Sequence, residues 1–276
     1  GTPYLRRLSV VTCFTREIPA KINLFLDILG KRGDGYHEIS SVFVPLQTPC
    51  DTISVTTGEK GQSKLEVACA HADVPEGPEN LCYRVAEQFS RETGIEPNWS
   101  INIAKRIPIA AGLGGGSADA AATLQLLNQS CSTPLSPSAL AAIAQRVGAD
   151  VPFFLNPTPA KAFGIGEKLE PVPLAQPIRC VVMSPGFPVR AAWAYNNLNR
   201  VPRAKPPCMK DLLDAMRRGC LEDVAATCYN ALEFAICDKF PLVDMIRDFL
   251  LESGCLTAHI SGSGPTVYGL CRPEKG

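Results

Sequence analysis

Residues Pro108-Ile109-Ala110-Ala111-Gly112-Leu113-Gly114-Gly115-Gly116-Ser117-Ala118 set four glycines within five positions, directly ahead of an Ala-rich helical stretch, Asp119 to Asn128. Glycine lacks a Cβ, so its backbone turns through positive φ and lets a bulky group approach bare N–H groups. Ser117 is expected to cap the helix. The first turn of any helix leaves several N–H groups unpaired, with the positive end of the helix dipole behind them. A loop and helix joined in this way form an anion site of the kind that holds phosphate.

The commoner phosphate motifs do not fit. A P-loop ends in Gly-Lys-Ser/Thr, whereas these glycines run into Ser117-Ala118-Asp119 with no lysine. The dinucleotide fingerprint needs a third spaced glycine, and Ser117 stands at that position. A flexible linker would be longer and polar on both sides, while here Ile107 and Ile109 lead in.

A chain of 276 residues suits two domains better than one. Lys+Arg and Asp+Glu both number 27, so net charge points neither to nucleic acid nor to a membrane surface. The 12 cysteines are scattered, with no Cys-x-x-Cys and no thiol pair near His37, His71 or His259, which argues against zinc. They read as small buried residues in a reducing compartment. No run reaches the roughly 18 apolar residues of a membrane span. The mixed stretch Leu8 to Phe14 is too broken for a secretory segment. Opening on Gly and stopping soon after Leu270, the chain is expected to have trimmed ends, with a targeting peptide among what could have been removed.

Alternation predicts a strand over Ala20 to Leu29, with Ile22, Leu24, Leu26 and Ile28 on one face and Lys21 and Asn23 on the other. The turn residues 31–35 lead to a returning strand over 39–46, with further strands over 52–57, 64–70 and 99–103. Helices are predicted over 80–93 and over Ser136 to Gly148, the latter with an N-cap serine and a first-turn proline. Prolines crowd residues 157–177, the expected passage between domains. Beyond it come a strand over 179–184, helices over 209–218, 222–235 and 242–253, and strands over 256–261 and 266–270. Those last strands flank a second glycine turn, Ser261-Gly262-Ser263-Gly264-Pro265. The class is α+β in two halves.

Individual residues leave their roles open. A strand lysine such as Lys21 ordinarily belongs to a solvated face. Asp150 leads into the apolar run Val151 to Leu155, so it is either a turn cap or a base poised against a cation. Tyr36 and His37 at the mouth of the hairpin could hold a flat heterocycle or simply anchor the loop. Trp193 and Tyr195 offer a second aromatic face with the same ambiguity.

Five segments occur in one order: Pro19-Ala20-Lys21-Ile22-Asn23-Leu24, Gly33-Asp34-Gly35-Tyr36-His37, the glycine segment, Gly148-Ala149-Asp150-Val151-Pro152 and Ser261 to Thr266. In this the chain resembles the GHMP-superfamily kinases from about Pro19 to Leu270. Gly-Tyr-His and Gly-Ala-Asp-Val-Pro narrow the resemblance to members acting on a cytidine-diphosphate-linked methylerythritol. The resemblance implies ATP-dependent phosphorylation of the 2-hydroxyl of 4-diphosphocytidyl-2-C-methyl-D-erythritol, in the non-mevalonate route to isoprenoid precursors. By it, Asp150 is the general base, and Lys21 steadies that carboxylate and offsets charge on the transferring phosphoryl group. Pro108 to Ala118 cradles the ATP phosphates. His37 hydrogen-bonds cytosine, Tyr36 and Tyr195 sandwich the ring with Trp193 as the fallback, and Asn23 touches substrate.

The resemblance also implies an N-terminal domain of left-handed β-α-β character over residues 1–160, like that of a small-subunit ribosomal protein. A C-terminal ferredoxin-like domain would fill 161–276, with the site in the cleft between. It implies a monomer or weak homodimer in a bacterial cytoplasm, or in a plastid stroma if a leader was removed. Two departures stand out. Ala118 replaces the second serine of many relatives, and no acidic residue matches the glutamate some members use for metal. Mg²⁺ is expected with ATP, its protein ligands unassigned. Asp119 at the helix start is read as favouring the helix dipole.

Overall fold

The computed structural model describes residues 12–58, 63–199 and 205–273; the N-terminal stretch before Thr12 lies outside them. Two long strands organise the first half. β1 (Thr12–Lys31) and β2 (His37–Thr57) pair antiparallel along nearly their whole length, with the register shifting between Pro19 and Lys21. The two strands expected over 39–46 and 52–57 are therefore one. The Pro45–Pro49 region bends β2 without breaking it, because its ladder to β1 resumes beyond the shift.

Around this pair lie β3 (Lys64–Cys69), α1 (Leu81–Thr93), β4 (Asn98–Ala104), α2 (Gly115–Gln129), α3 (Pro137–Val147), α4 (Val151–Leu155), β5 (Ala160–Gly164) and β6 (Lys168–Pro171). α1 and α3 start where the sequence predicts. Asn80 accepts from Cys82 N and Ser136 from Ala139 N, each satisfying a donor that the helix itself cannot. The sheet runs β3-β4-β2-β1, with β4 on the second half of β2 and β5 on its first half. β3 and β4 are parallel with α1 crossing between them, and the helices α1 to α4 pack on one another and, through α1 and α2, on the sheet, around a core containing Phe43, Phe89, Ile101 and Phe153.

The second half holds β7 (Arg179–Met183), α5 (Ala191–Asn196), α6 (Met209–Arg218), α7 (Leu221–Thr227), β8 (Tyr229–Asn230), α8 (Glu233–Lys239), α9 (Pro241–Glu252), β9 (Thr257–Ile260) and β10 (Val267–Cys271). β7, β10 and β9 form an antiparallel sheet. β5 pairs with β2, and β6 with β5, so both lie in the larger sheet, which β8 joins from the second half.

The helix expected over 222–235 is interrupted. Cys228 is extended (ψ 143), and Tyr229–Asn230 pair in parallel with Phe25–Leu26. The Asn230 amide donates to the carbonyls of Ile260 and Gly262 at 2.7 and 2.8 Å. A helix through Asn230 would forfeit all of these bonds, so tertiary pairing overrides local propensity. β8 on one edge of β1 and β2 on the other leave β1 central, and every residue from Ala20 to Leu26 is buried. The face carrying Lys21 is thus not solvated; it abuts the cleft between the halves.

Candidate active site

The glycine segment joins β4 to α2, and its backbone is shaped by what surrounds it. Gly112 has φ +79, and a Cβ there would lie 1.9 Å from the carbonyl oxygen of Ser261. Gly114 has φ +74, and a Cβ there would meet the Phe154 ring at 2.7 Å. Gly114, not Ser117, is the N-cap of α2, and it offers no side-chain cap. A left-handed glycine already turns the chain into the helix, which carries Ser117 into the first turn. Ala118 N donates back to Gly114 O at 2.9 Å, so the N–H groups of Gly115, Gly116 and Ser117 precede any helical acceptor and remain for an anion.

A cleft of about 610 Å³ opens over this helix end. Every residue from Pro108 to Ser117 except Leu113 lines it, whereas Leu113 and Ala118 are buried in the core. Gly112→Ala should cost about 3 kcal/mol or more, from the left-handed backbone together with the displaced carbonyl. Thermal unfolding checks this, and an unchanged melting temperature would mean the loop and the Ser261 turn are not in contact.

Lys21 and Asp150 meet in the same cleft. Lys21 is only 4% exposed. Its ammonium donates to Asn23 Oδ1 at 2.7 Å, lies 3.5 Å from Asp150 Oδ2 and sits 4.6 Å from the centre of the Phe43 ring. Its backbone N–H bonds to Leu113 O, and its Cε would lie 3.2 Å from a Cβ on Gly114. The amine is therefore held against the helix end where an anion would bind. Asp150 stands at the N-cap position of α4 but its side chain makes no cap hydrogen bond; that side chain, 31% exposed, opens to the cleft. Asn23 is fixed on both sides, donating from Nδ2 to Ser41 Oγ at 2.9 Å and from its backbone to Ser261 Oγ at 3.3 Å. Ser261 Oγ donates in turn to Gly112 O at 3.0 Å. One serine thus links β1, the glycine loop and the second glycine turn.

The aromatic residues separate. Tyr195 lines the cleft from α5 and stacks on His37, with ring centroids 5.1 Å apart and planes 24° apart. Burial first, and then the charge of Asp150, push its phenol well above the ordinary tyrosine range. Trp193 packs edge-on against Phe240 at 5.5 Å, partly buried against the core that β1 shares with the second half. It faces a different direction from Tyr195 because the two are only two positions apart on one helix. Tyr36 is 61% exposed, and neither Tyr36 nor His37 lines the cleft; the structure joins His37 to the site only through its stack on Tyr195.

Sequence reasoning missed two parts of the cleft. The segment before α1 contributes Asp73, Val74, Pro75, Glu79 and Asn80 to its wall, and α1 its first residue, Leu81; no periodic pattern marks such a loop. Beneath the glycine segment, Lys105 forms ion pairs with Asp51 and with Asp119, the latter at 2.8 Å. Burial pulls the Lys105 pKa down, but Asp119 and Asp51 together hold it above the ordinary value. The Asp119 carboxyl is pushed up to about 7, by burial first and with Asp51's charge adding to it, against the pull of Lys105. Among the described residues no group of three His, Cys, Asp or Glu side chains converges on a metal position. Asp119, the carboxylate on α2, already faces an ammonium. The donors present therefore do not form a protein cage for magnesium.

The comparisons agree with this geometry. The family profile "GHMP kinases N terminal domain" matches residues 80–156, and "GHMP kinases C terminal" matches 208–276. The chain is 37% identical to the 4-diphosphocytidyl-2-C-methyl-D-erythritol kinase of Geobacter metallireducens over 95% of its own length and 90% of the relative's. It is 41% identical to that of Pelotomaculum thermopropionicum over 95% and 89%. A crystal structure of 4-(cytidine 5'-diphospho)-2C-methyl-D-erythritol kinase superposes with a TM-score of 0.75 at 34% identity, covering 93% of this chain and 90% of that one. Homoserine kinase from Cytophaga hutchinsonii shares the fold at a TM-score of 0.75 and 17% identity, over 96% and 87%. A glycine loop at a helix end, a lysine–aspartate pair beside it and likeness along both halves lead to one conclusion: the chain is an ATP-dependent small-molecule kinase that belongs to the 4-diphosphocytidyl-2-C-methyl-D-erythritol kinase family of the GHMP kinases.

Proposed function

We propose that the protein transfers the γ-phosphoryl group of ATP to the 2-hydroxyl of 4-diphosphocytidyl-2-C-methyl-D-erythritol, with chemistry centred on Lys21 and Asp150. The observation that carries this reading is the approach of the Lys21 ammonium to Asp150 Oδ2, 3.5 Å apart, against the open N-terminus of α2. The hydroxyl oxygen attacks the γ-phosphorus as the bond to the leaving ADP breaks. Its proton passes to the Asp150 carboxylate. The backbone N–H groups of Gly115, Gly116 and Ser117 and the Lys21 ammonium neutralise charge on the phosphoryl oxygens. Phosphoryl transfer depends chiefly on such positioning and charge. Magnesium arrives on the ATP phosphates.

At the other end of the cleft, Tyr195 presents an aromatic face for the cytosine, and His37, stacked on Tyr195 but outside the cleft lining, would turn a ring nitrogen to the base's polar edge. His37 stacks on one face of the Tyr195 ring; a base binding on that face would displace the imidazole. Tyr36 would join only by swinging in from its exposed position, and Asn23 contacts substrate beside Lys21. Val74, Pro75 and Leu81 supply an apolar patch for the adenine, in a wall that also carries Asp73, Glu79 and Asn80.

A coupled assay of ADP release tests the assignment. Turnover is expected with ATP and the cytidine-linked alcohol, and none with mevalonate or with free methylerythritol. Turnover of mevalonate in place of the cytidine-linked substrate would overturn it.

A further inference from the structure

The buried triad of Asp51, Lys105 and Asp119 ties both ends of the glycine segment. Asp51 on β2 accepts from the backbone N–H groups of Arg106 and Ile107, at 2.6 and 2.8 Å, and from Lys105 Nζ. These residues lead directly into Pro108. Lys105 reaches from there to Asp119 on α2, and its Nζ would lie 3.0 Å from a Cβ on Gly115. An ammonium thus lies against the first residue of the helix that offers its N–H groups to phosphate.

The triad is unbalanced: two carboxylates share one ammonium. Asp51 accepts three hydrogen bonds, whereas Asp119 is 3% exposed, its Oδ2 takes one from Lys105, and its Oδ1 has no partner. An ionised Asp119 leaves one net negative charge beneath the loop; a neutral one leaves none. We propose that Asp119 is a positioning residue whose charge opposes the nucleotide phosphates, so that nucleotide binding draws a proton from solvent onto its carboxylate. The inference rests on ATP occupying the glycine segment.

The carboxyl's pKa of about 7 puts this step in the neutral range. Below it Asp119 is neutral and does not oppose phosphate; as pH rises through 7 it ionises and nucleotide affinity falls. The groups facing it are Lys105, Asp51 and, from α1, the Cys82 thiol, which burial holds well above its ordinary pKa. Lys21 lies at the other end of the turn, beside Gly114.

The test is titration calorimetry with ADP at pH 6 and pH 8, using the wild type and Asp119→Asn, which keeps shape while removing charge. At pH 8 the variant is expected to bind ADP about fivefold more tightly or better, in the usual range of coupling between sites. The advantage should shrink to less than about twofold at pH 6, where both forms are neutral. Titration of ADP's own phosphates cancels in the ratio. Buffers of different ionisation enthalpy should show the wild type taking up more protons than the variant near pH 7.5. If Asp119→Asn does not fold, Asp119→Leu must show the same loss of pH dependence. A ratio equal at both pH values, or weaker binding by the variant at pH 8, would overturn the proposal. A wild type that binds no ADP at either pH would instead sink the assignment of the cleft to ATP.

Discussion

Asp150→Asn should lose about 10²- to 10⁴-fold in kcat, the usual worth of a positioned general base. The dissociation constant for ATP should stay within about threefold, because the role assigned to Asp150 is toward the acceptor hydroxyl and not toward the nucleotide. The amide copies the carboxylate's shape but cannot accept the hydroxyl proton. Asp150 is 31% exposed, so the lost ion pair with Lys21 should cost less than about 1 kcal/mol of stability. Steady-state kinetics alongside thermal unfolding check both parts. Wild-type turnover would remove Asp150 from the chemistry, and a large fall in melting temperature would recast it as structural.

Lys21→Met should lower kcat by about 10²- to 10³-fold, the range seen when one preorganised donor to a developing charge is removed. It should also disturb folding more than Asp150→Asn. Lys21 is buried, and its removal strips the hydrogen bond from Asn23 Oδ1. Leaving that acceptor unsatisfied costs about 1–3 kcal/mol, while methionine still fills the space against Phe43 and Gly114. Assays well below the melting temperature separate the two effects. The account expects folded, nucleotide-binding and nearly inactive protein; a variant that loses only stability would place Lys21 in the scaffold.

The glycine segment was legible because its requirements are local: bare backbone, then helix. Its detailed geometry was not. Ser117 has the chemistry of a cap, yet Gly114's left-handed backbone takes that position, forced by Phe154 and Lys21 packed behind it. Lys21 shows a second kind of limit. Alternation along β1 marks two faces correctly but does not say that the second half packs over one and that the other lies under the cleft. The break at Tyr229–Asn230 has the same origin, since Asn230 answers to carbonyls some 30 positions away. β5 and β6 were hidden among prolines that elsewhere mark a passage between halves. Asp51 and Lys105 carry no motif at all; they become a unit only when β2, β4 and α2 are brought together. The family's fold and chemistry therefore came from ordered motifs, and the support beneath the site from tertiary structure alone.

The most direct measurement is a crystal structure of Asp150→Asn, inactive enough to hold both substrates, with ATP and the cytidine-linked alcohol bound. The account predicts the γ-phosphate between Lys21 and the N–H groups that open α2, and the 2-hydroxyl oxygen about 2.6–3.2 Å from the side chain at position 150. A γ-phosphate bound away from that helix end, or a 2-hydroxyl turned away from position 150, would contradict it.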